Sequence, residues 1–359
     1  MAWAGLASLM AVGAVLLSTG CANVSYLAQS VSGHMQLVSA AKPVQQWLDD
    51  PSQPAELRQR LALSQRMRDF AVQELKLPDN RSYRAYADLK RPAAVWNVVA
   101  APELSLSLKT WCFPVMGCVG YRGYFQRERA DAFAQGLQQE PGLEVSVYGV
   151  PAYSTLGLTN WLGGDPLLNT FIRYPEGELA RLIFHELTHQ VVYVKDDTMF
   201  NESFATAVER LGAQRWLATQ GSAAARDEFV ALERRREDFR ALTMRYRQRL
   251  DRLYRSDASA EAKRAGKAAL MAELRADYAA LKAGTWGGYA GYDGWFARAN
   301  NASFGVLAAY NELTPQFEAL FEREGRDFER FYAAVRAMAS LPRDERRATL
   351  KQNLPPETH

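Results

Sequence analysis

Apolar residues recur at three- and four-residue intervals through two long stretches in the second half of the chain. Phe239, Leu242, Tyr246, Leu250 and Leu253 step by 3, 4, 4 and 3 positions, and Leu270, Leu274, Tyr278 and Leu281 by 4, 4 and 3. That spacing places each set on one face of a helix. The polar RSDASA segment (255–260) predicts a turn between them and Gly284 a stop, so residues 223–283 read as a charged helical hairpin. Its charged faces read as solvated, with a partner- or membrane-facing role as the alternative. Residues 25–75 read as mostly helical, with PAELRQRLALSQRMRDFAVQEL a strongly amphipathic run. AAVWNVVAAP (93–102) and LEVSVYGVPAYS (143–154) carry the β-branched, alternating composition of strands. The expected fold class is α+β, mostly helical, with a small sheet and an inserted long helical hairpin. No internal repeat is visible.

Chemistry concentrates in LIFHELTHQVV, residues 182–192. His185 and His189 are four residues apart, so on a helix they share a face. Glu186 sits one step around from His185, within reach of an attacking water without itself being a ligand. H-E-x-x-H on a helix is a zinc-binding pattern with a carboxylate as general base. Leu182, Ile183, Phe184, Leu187, Val191 and Val192 flank it as a buried helix requires. Glu176 and Glu178 follow Pro175, where a first helical turn favours proline and acidic residues. The bland reading is a buried helix with two hydrogen-bonded histidines. Scarcity argues against it: the chain has only four histidines, and two of them fall in this motif.

Two imidazoles do not complete a catalytic zinc site, which usually has three protein ligands. Position 195, where a third histidine in the H-E-x-x-H-x-x-G-x-x-H pattern would stand, is Lys195. His34 and His359 lie near the two ends of the chain. The third ligand should therefore be a carboxylate, and MFNESFATAVER (199–210) supplies candidates. A helix running to about Val194, a turn at KDDT (195–198) and a second helix from Met199 would return Glu202 level with His189. Asp196 and Asp197 fall in the turn, too far along the axis. Glu209, two turns further, suits orientation of a histidine rather than ligation.

The combination HELTH … NESFATAVE resembles the H-E-x-x-H plus N-E-x-F-A-x-x-x-E signature of gluzincin metallopeptidases. YSTLGLTNWLGGDPLL before it and NNASFGVLAAYNEL after it resemble a family of bacterial predicted aminopeptidases, and the similarity covers most of the chain after residue 21. The resemblance implies a zincin-like core binding one zinc ion through His185, His189 and Glu202. It implies Glu186 as the base and peptide as substrate. It further makes residues 150–157 candidates for a strand edge that pairs with extended substrate, with a core strand as the equal alternative, and implies a downstream tyrosine for the oxyanion, with Tyr289, Tyr292 and Tyr310 all candidates. The chain departs from the large aminopeptidases in two ways. Their gap from motif to glutamate is longer than the twelve residues here, and their G-x-M-E-N motif is absent. An endopeptidase, or a non-catalytic scaffold acting through the hairpin, therefore stays open beside an aminopeptidase.

At 359 residues and 48% hydrophobic, the chain can bury a large core in one or two domains. The 43 basic and 40 acidic residues nearly balance, which gives no footing for nucleic-acid binding. Residues 1–20 carry no charge, and their apolar run of about 16 residues is shorter than the roughly 20 of a transmembrane helix, which suits a signal peptide. LLSTGCA resembles a bacterial lipobox, with lipid on Cys21 and residues 21–359 as the mature zincin-like domain; a simple membrane anchor is the alternative. Ala22 after the cysteine implies the outer membrane, facing the periplasm. Cys112 and Cys118 then remain to pair across a short loop in an oxidising compartment.

Overall fold

A computed structural model describes residues 26, 29–30, 32–113, 117–152, 164–311 and 313–352, with the side chains of 308–311 outside the description. The signal-peptide and lipidation expectations at residues 1–21 lie outside the described residues. The chain is mostly helical with a small sheet, as an α+β fold requires.

The sheet is built on β1 (Val95–Pro102), which pairs antiparallel with β2 (Arg122–Tyr124) on one side and β3 (Leu143–Val150) on the other. Both faces of β1 are covered. Val98 and Ala100 pack with Ala130, Ala134 and Leu137 of α2 (Arg127–Gln138). Val99 and Ala101 pack with Ala302 of α8 (Asn301–Asn311). Double coverage explains why β1 reads as a nearly continuous apolar run. β3 is one of the two edge strands of this sheet. It supplies Val150 to the expected substrate edge, while residues 153–157 of that edge lie outside the described residues. β3 does not lead directly into the helix that carries His185. A two-residue strand, Leu167–Leu168, intervenes and pairs parallel with Ala85–Ala87.

The main core joins α1 (Ala55–Gln73), α3 (Glu176–Thr188), α4 (Thr198–Thr219), α9 (Thr314–Arg323), α10 (Phe328–Ala339) and α11 (Arg343–Lys351). Phe184, Phe200, Phe204, Phe317 and Phe331 are completely buried in it. The expected hairpin forms as α5 (Ala223–Arg255) and α6 (Ala260–Ala283). Ser222 and Ser259 cap their starts by accepting from Ala225 N and Ala262 N. Phe239, Leu242, Tyr246 and Leu250 face Leu274 and Tyr278 in a second core, which Trp286, Phe296 and Phe304 complete. α7 (Asp293–Arg298) carries Phe296 into that core.

The expected disulfide joins Cys112 and Cys118 across two short antiparallel strands, Trp111–Phe113 and Gly117–Val119. Its position matters because it touches the loop between α3 and α4. Asp196 Oδ1 accepts from Cys118 N at 2.6 Å. A Cβ on Gly117, whose φ is +75°, would stand 2.0 Å from that same oxygen. The left-handed backbone favours glycine there, and a larger residue would also displace the Asp196 carboxylate.

The loop is pinned at two further points. Asn201 donates to Val194 O at 2.7 Å and accepts from Val194 N at 2.8 Å. Asp197 caps α4 through Phe200 N and pairs with Arg346 at 2.5 Å and Arg347 at 3.0 Å on α11. Asp197 is 2% and Arg346 6% exposed, so neither charge has water to fall back on. Removing one partner of such a pair typically costs about 3–5 kcal/mol. Asp197→Ala should lose roughly that much stability in chemical denaturation. An unchanged denaturation midpoint would show that Arg346 finds another partner and that the pair does not hold the loop.

Candidate active site

α3 and α4 carry every candidate donor. Leu179, Ala180, Ile183, Phe184 and Leu187 of α3 are completely buried, which fixes the helix in rotation and leaves His185 and Glu186 lining a cavity. The helix ends at Thr188, earlier than the Val194 expected from sequence. Gln190 N and Val191 N bond back to Leu187 O and Thr188 O, tightening the last turn. The β-branched Val191, Val192 and Val194 that follow disfavour further helix. His189 is the C-cap but keeps helical dihedrals, φ −59° and ψ −18°, so it still lies beside His185, the two rings meeting edge to face with centroids 4.8 Å apart. The connection to α4 is thus a loop over 189–197 rather than a tight turn.

Glu202 returns between the histidines. Its Oε2 lies 3.2 Å from His185 Nε2 and 3.7 Å from His189 Nε2, and the two Nε2 atoms are 3.2 Å apart. Two donors at the roughly 2.0–2.1 Å bond length of a tetrahedral zinc site stand about 3.3–3.4 Å apart. The triangle therefore has the dimensions of one face of such a site. Among the described residues this is the one His, Cys, Asp and Glu cluster of that geometry. Asp196 and Asp197 are committed elsewhere, to Cys118 N and to Arg346 and Arg347.

Glu209 faces the other side of His185, with Oε2 2.8 Å from Nδ1. Its Oε1 accepts from Arg181 Nε at 3.1 Å, and Arg181 also pairs with Glu233 of α5. Sequence reading did not single out Arg181 or Glu233. A signal existed for the first: Arg181 lies four residues before His185, a lone cation on the histidine face of an apolar helix. Glu233 left none, since it is one of many charges on a long helix.

The charges tune one another. Burial alone would lower the His185 pKa, but the two glutamates outweigh it and hold the ring well above its ordinary value. Burial takes His189 down to about 4, so its ring is neutral near pH 7. Burial would raise Glu209, yet Arg181 and His185 bring it to about 2. Glu186 goes the other way: burial, with Glu202 and Asp165 adding to it, pushes it up to about 7 despite His185. Among the described residues Glu186 makes no hydrogen bond or ion pair. It is an uncommitted carboxylate whose proton affinity suits exchange near neutrality.

The cavity measures about 410 Å³ and also contains Tyr174, Glu178, Arg181, Leu182, Thr206, Glu209, Arg236, Phe239, Arg240 and Tyr292. Of the three tyrosines the sequence nominated, Tyr292 lines it. Tyr289 instead packs on Trp286 and under Arg235, and the Tyr310 side chain lies outside the described residues. Sequence reasoning missed Tyr121, Tyr148 and Tyr193, which lie close enough for the Glu202 charge to raise each of them further beyond the effect of burial.

Two imidazoles and a carboxylate that can share one divalent ion, with a free carboxylate beside them, form the donor set of a candidate hydrolytic centre in a mostly helical α+β protein. The chain matches the family model described as "Putative aminopeptidase" over residues 25–350 and belongs to that family. It is similar to no curated protein and to no solved structure at a level that carries an argument.

Glu209 should matter for metal binding although it is not a ligand. Hydrogen-bonded partners of metal-binding histidines are typically worth about 10–100-fold in affinity. Glu209→Gln should weaken zinc binding by that range in chelator competition. A metal needs the neutral imidazole, and Glu202 and Glu209 raise the His185 pKa against the effect of burial, so zinc affinity should rise with pH. Equal affinity in Glu209→Gln and the parent would remove Glu209 from the site.

Proposed function

We propose that the protein is a zinc-dependent aminopeptidase of the bacterial cell envelope. The observation that carries this is the His185–His189–Glu202 triangle, whose His185 lines a cavity together with the uncommitted Glu186. His185, His189 and Glu202 would hold the ion. Bound there, zinc supplies Lewis acidity to the scissile carbonyl and to the attacking water. Glu186 accepts a proton from that water and delivers it to the leaving amine. Glu209 keeps the His185 Nδ1 proton on its own side and leaves Nε2 free to ligate. Tyr292, one of the two tyrosines lining the cavity, is the one we assign to the developing oxyanion. The family description supports peptide as the substrate.

The envelope assignment draws on the Cys112–Cys118 disulfide, since such bonds persist in oxidising compartments. It also draws on the lipobox-like segment ending at Cys21. Cys21→Ser should abolish lipid labelling and processing of residues 1–20. Retention in the membrane with an uncleaved N-terminus would replace the lipid with an anchor segment.

The reaction itself is tested by two variants. Glu202→Ala should lose most of its zinc while remaining folded. Glu186→Gln should keep zinc and fold but lose about 10²–10⁴-fold in peptidase activity, the usual worth of a general base. Loss of zinc from Glu186→Gln would make it a ligand or support, and full activity would assign the base elsewhere. A peptide library offered with free and acetylated N-termini separates the modes. Cleavage confined to free N-termini supports an aminopeptidase, and equal cleavage of both makes the protein an endopeptidase.

A further inference from the structure

The cavity beside Glu186 has three arginines on its wall, and two of them are committed. Arg181 is bound by Glu209 and Glu233, and Arg236 by Glu233 and by Glu178 at 2.6 Å. Arg240, one helical turn beyond Arg236 on α5, has no carboxylate within ion-pair distance among the described residues. It is half-buried, and burial first, then the charges of Arg210, Arg181 and Arg236, lower its pKa against the opposing charge of Glu237 on the same helix. Glu318 also feels Arg240 but is held by Arg210 at 3.1 Å, so no carboxylate pairs directly with this guanidinium, and an anion that reached it would relieve the crowding of cations. The neighbouring wall is apolar: Phe239 stacks on Tyr292 with ring centroids 4.4 Å apart and planes at 11°. Leu182 and Tyr174 extend that wall. The same cavity thus holds an uncommitted base, an uncommitted cation and an aromatic surface, in a volume of about 410 Å³ that suits a short chain.

We propose that Arg240 determines specificity by binding a carboxylate of a short peptide substrate. This rests on the peptidase reading above and deepens it by naming the substrate class. A guanidinium offers a planar fork that matches a carboxylate with two parallel hydrogen bonds, which an ammonium does not. The carboxylate comes either from an acidic side chain near the scissile bond or from the free C-terminus of the peptide. In both cases the anchored anion would place the peptide along the Phe239–Tyr292 wall beside Glu186. The hairpin then serves the reaction directly, because α5 supplies Arg236, Phe239 and Arg240 to the cavity.

The test measures binding apart from hydrolysis. Zinc-loaded Glu186→Gln protein is titrated calorimetrically with two probe pairs: alanyl-glutamate amide against alanyl-glutamine amide, and alanyl-alanine against alanyl-alaninamide. The first pair isolates a side-chain carboxylate and the second a C-terminal one. In one pair the carboxylate-bearing member should bind about 10- to 100-fold tighter, the range for a hydrogen bond to a charged group. Adding Arg240→Met should bring that ratio close to one, and Arg240→Lys should keep only part of it. Removing an unpaired cation leaves no stranded partner, so Arg240→Met should fold, which circular dichroism checks. A ratio near one in both pairs for the parent, or a ratio that survives Arg240→Met, overturns the proposal. A ratio that depends on Arg240 in a protein whose parent cleaves no peptide keeps the anion site and removes the peptidase reading. Hydrolysis of both members of each pair with no preference does the reverse.

Discussion

Arg181 is the charge on which the site depends. It is 6% exposed and lies on the helix that carries His185 and ends at the cap residue His189. A guanidinium removed from water that far costs several kcal/mol unless carboxylates replace the solvent. Glu209 from α4 and Glu233 from α5 replace it, so three helices meet on one cation. Glu209 divides its oxygens between two tasks: Oε1 takes Arg181 and Oε2 takes His185 Nδ1. The cation thereby fixes the carboxylate, the carboxylate fixes the imidazole, and His185 Nε2 is aimed at Glu202 and His189. The same chain keeps Glu209 at about 2 while Glu186, which has no such partner, rises to about 7. Two glutamates near one histidine acquire opposite characters from what lies behind them.

The hairpin gains its meaning from this chain. Away from the site, α5 and α6 form an ordinary apolar seam with solvated outer charges. Toward its N-terminal half, α5 turns Glu233, Arg236 and Arg240 inward, against α3 and the cavity. The charges there are structural partners of Arg181 and Glu178 as well as part of the cavity wall. A long charged helix can thus be solvent-facing at one end and site-forming at the other, with no change in composition between them.

The loop between α3 and α4 has a comparable economy. Helix ends leave backbone groups without partners, and the loop must also place Glu202 to within a few tenths of an ångström. Asn201 clamps Val194, Asp196 reaches the disulfide-bonded strands, and Asp197 ties α4 to α11. The residue beside the candidate ligand and both acids of the turn are therefore occupied in holding position. None of the three is free to compete with Glu202 for a metal.

The sequence by itself determined what depends on local period and on rare residue types. The apolar stripe at three- and four-residue steps defined the hairpin from Ala223 to Ala283, because a helix face is a local property. His185, Glu186 and His189 declared themselves through spacing and scarcity, and Cys112 and Cys118 through proximity in sequence. Glu202 and the orienting position of Glu209 followed from helix rise, although the helix they were measured against ends at Thr188. Only the tertiary structure decided what depends on charges distant in sequence. It joined Glu233 to Arg181 across 52 positions and Asp197 to Arg346 across 149, and brought Tyr292 to the cavity beside Glu186. Periodicity describes which face of an element is apolar. It does not say which ion on the other face is buried, because burial is conferred by elements packed from elsewhere in the chain.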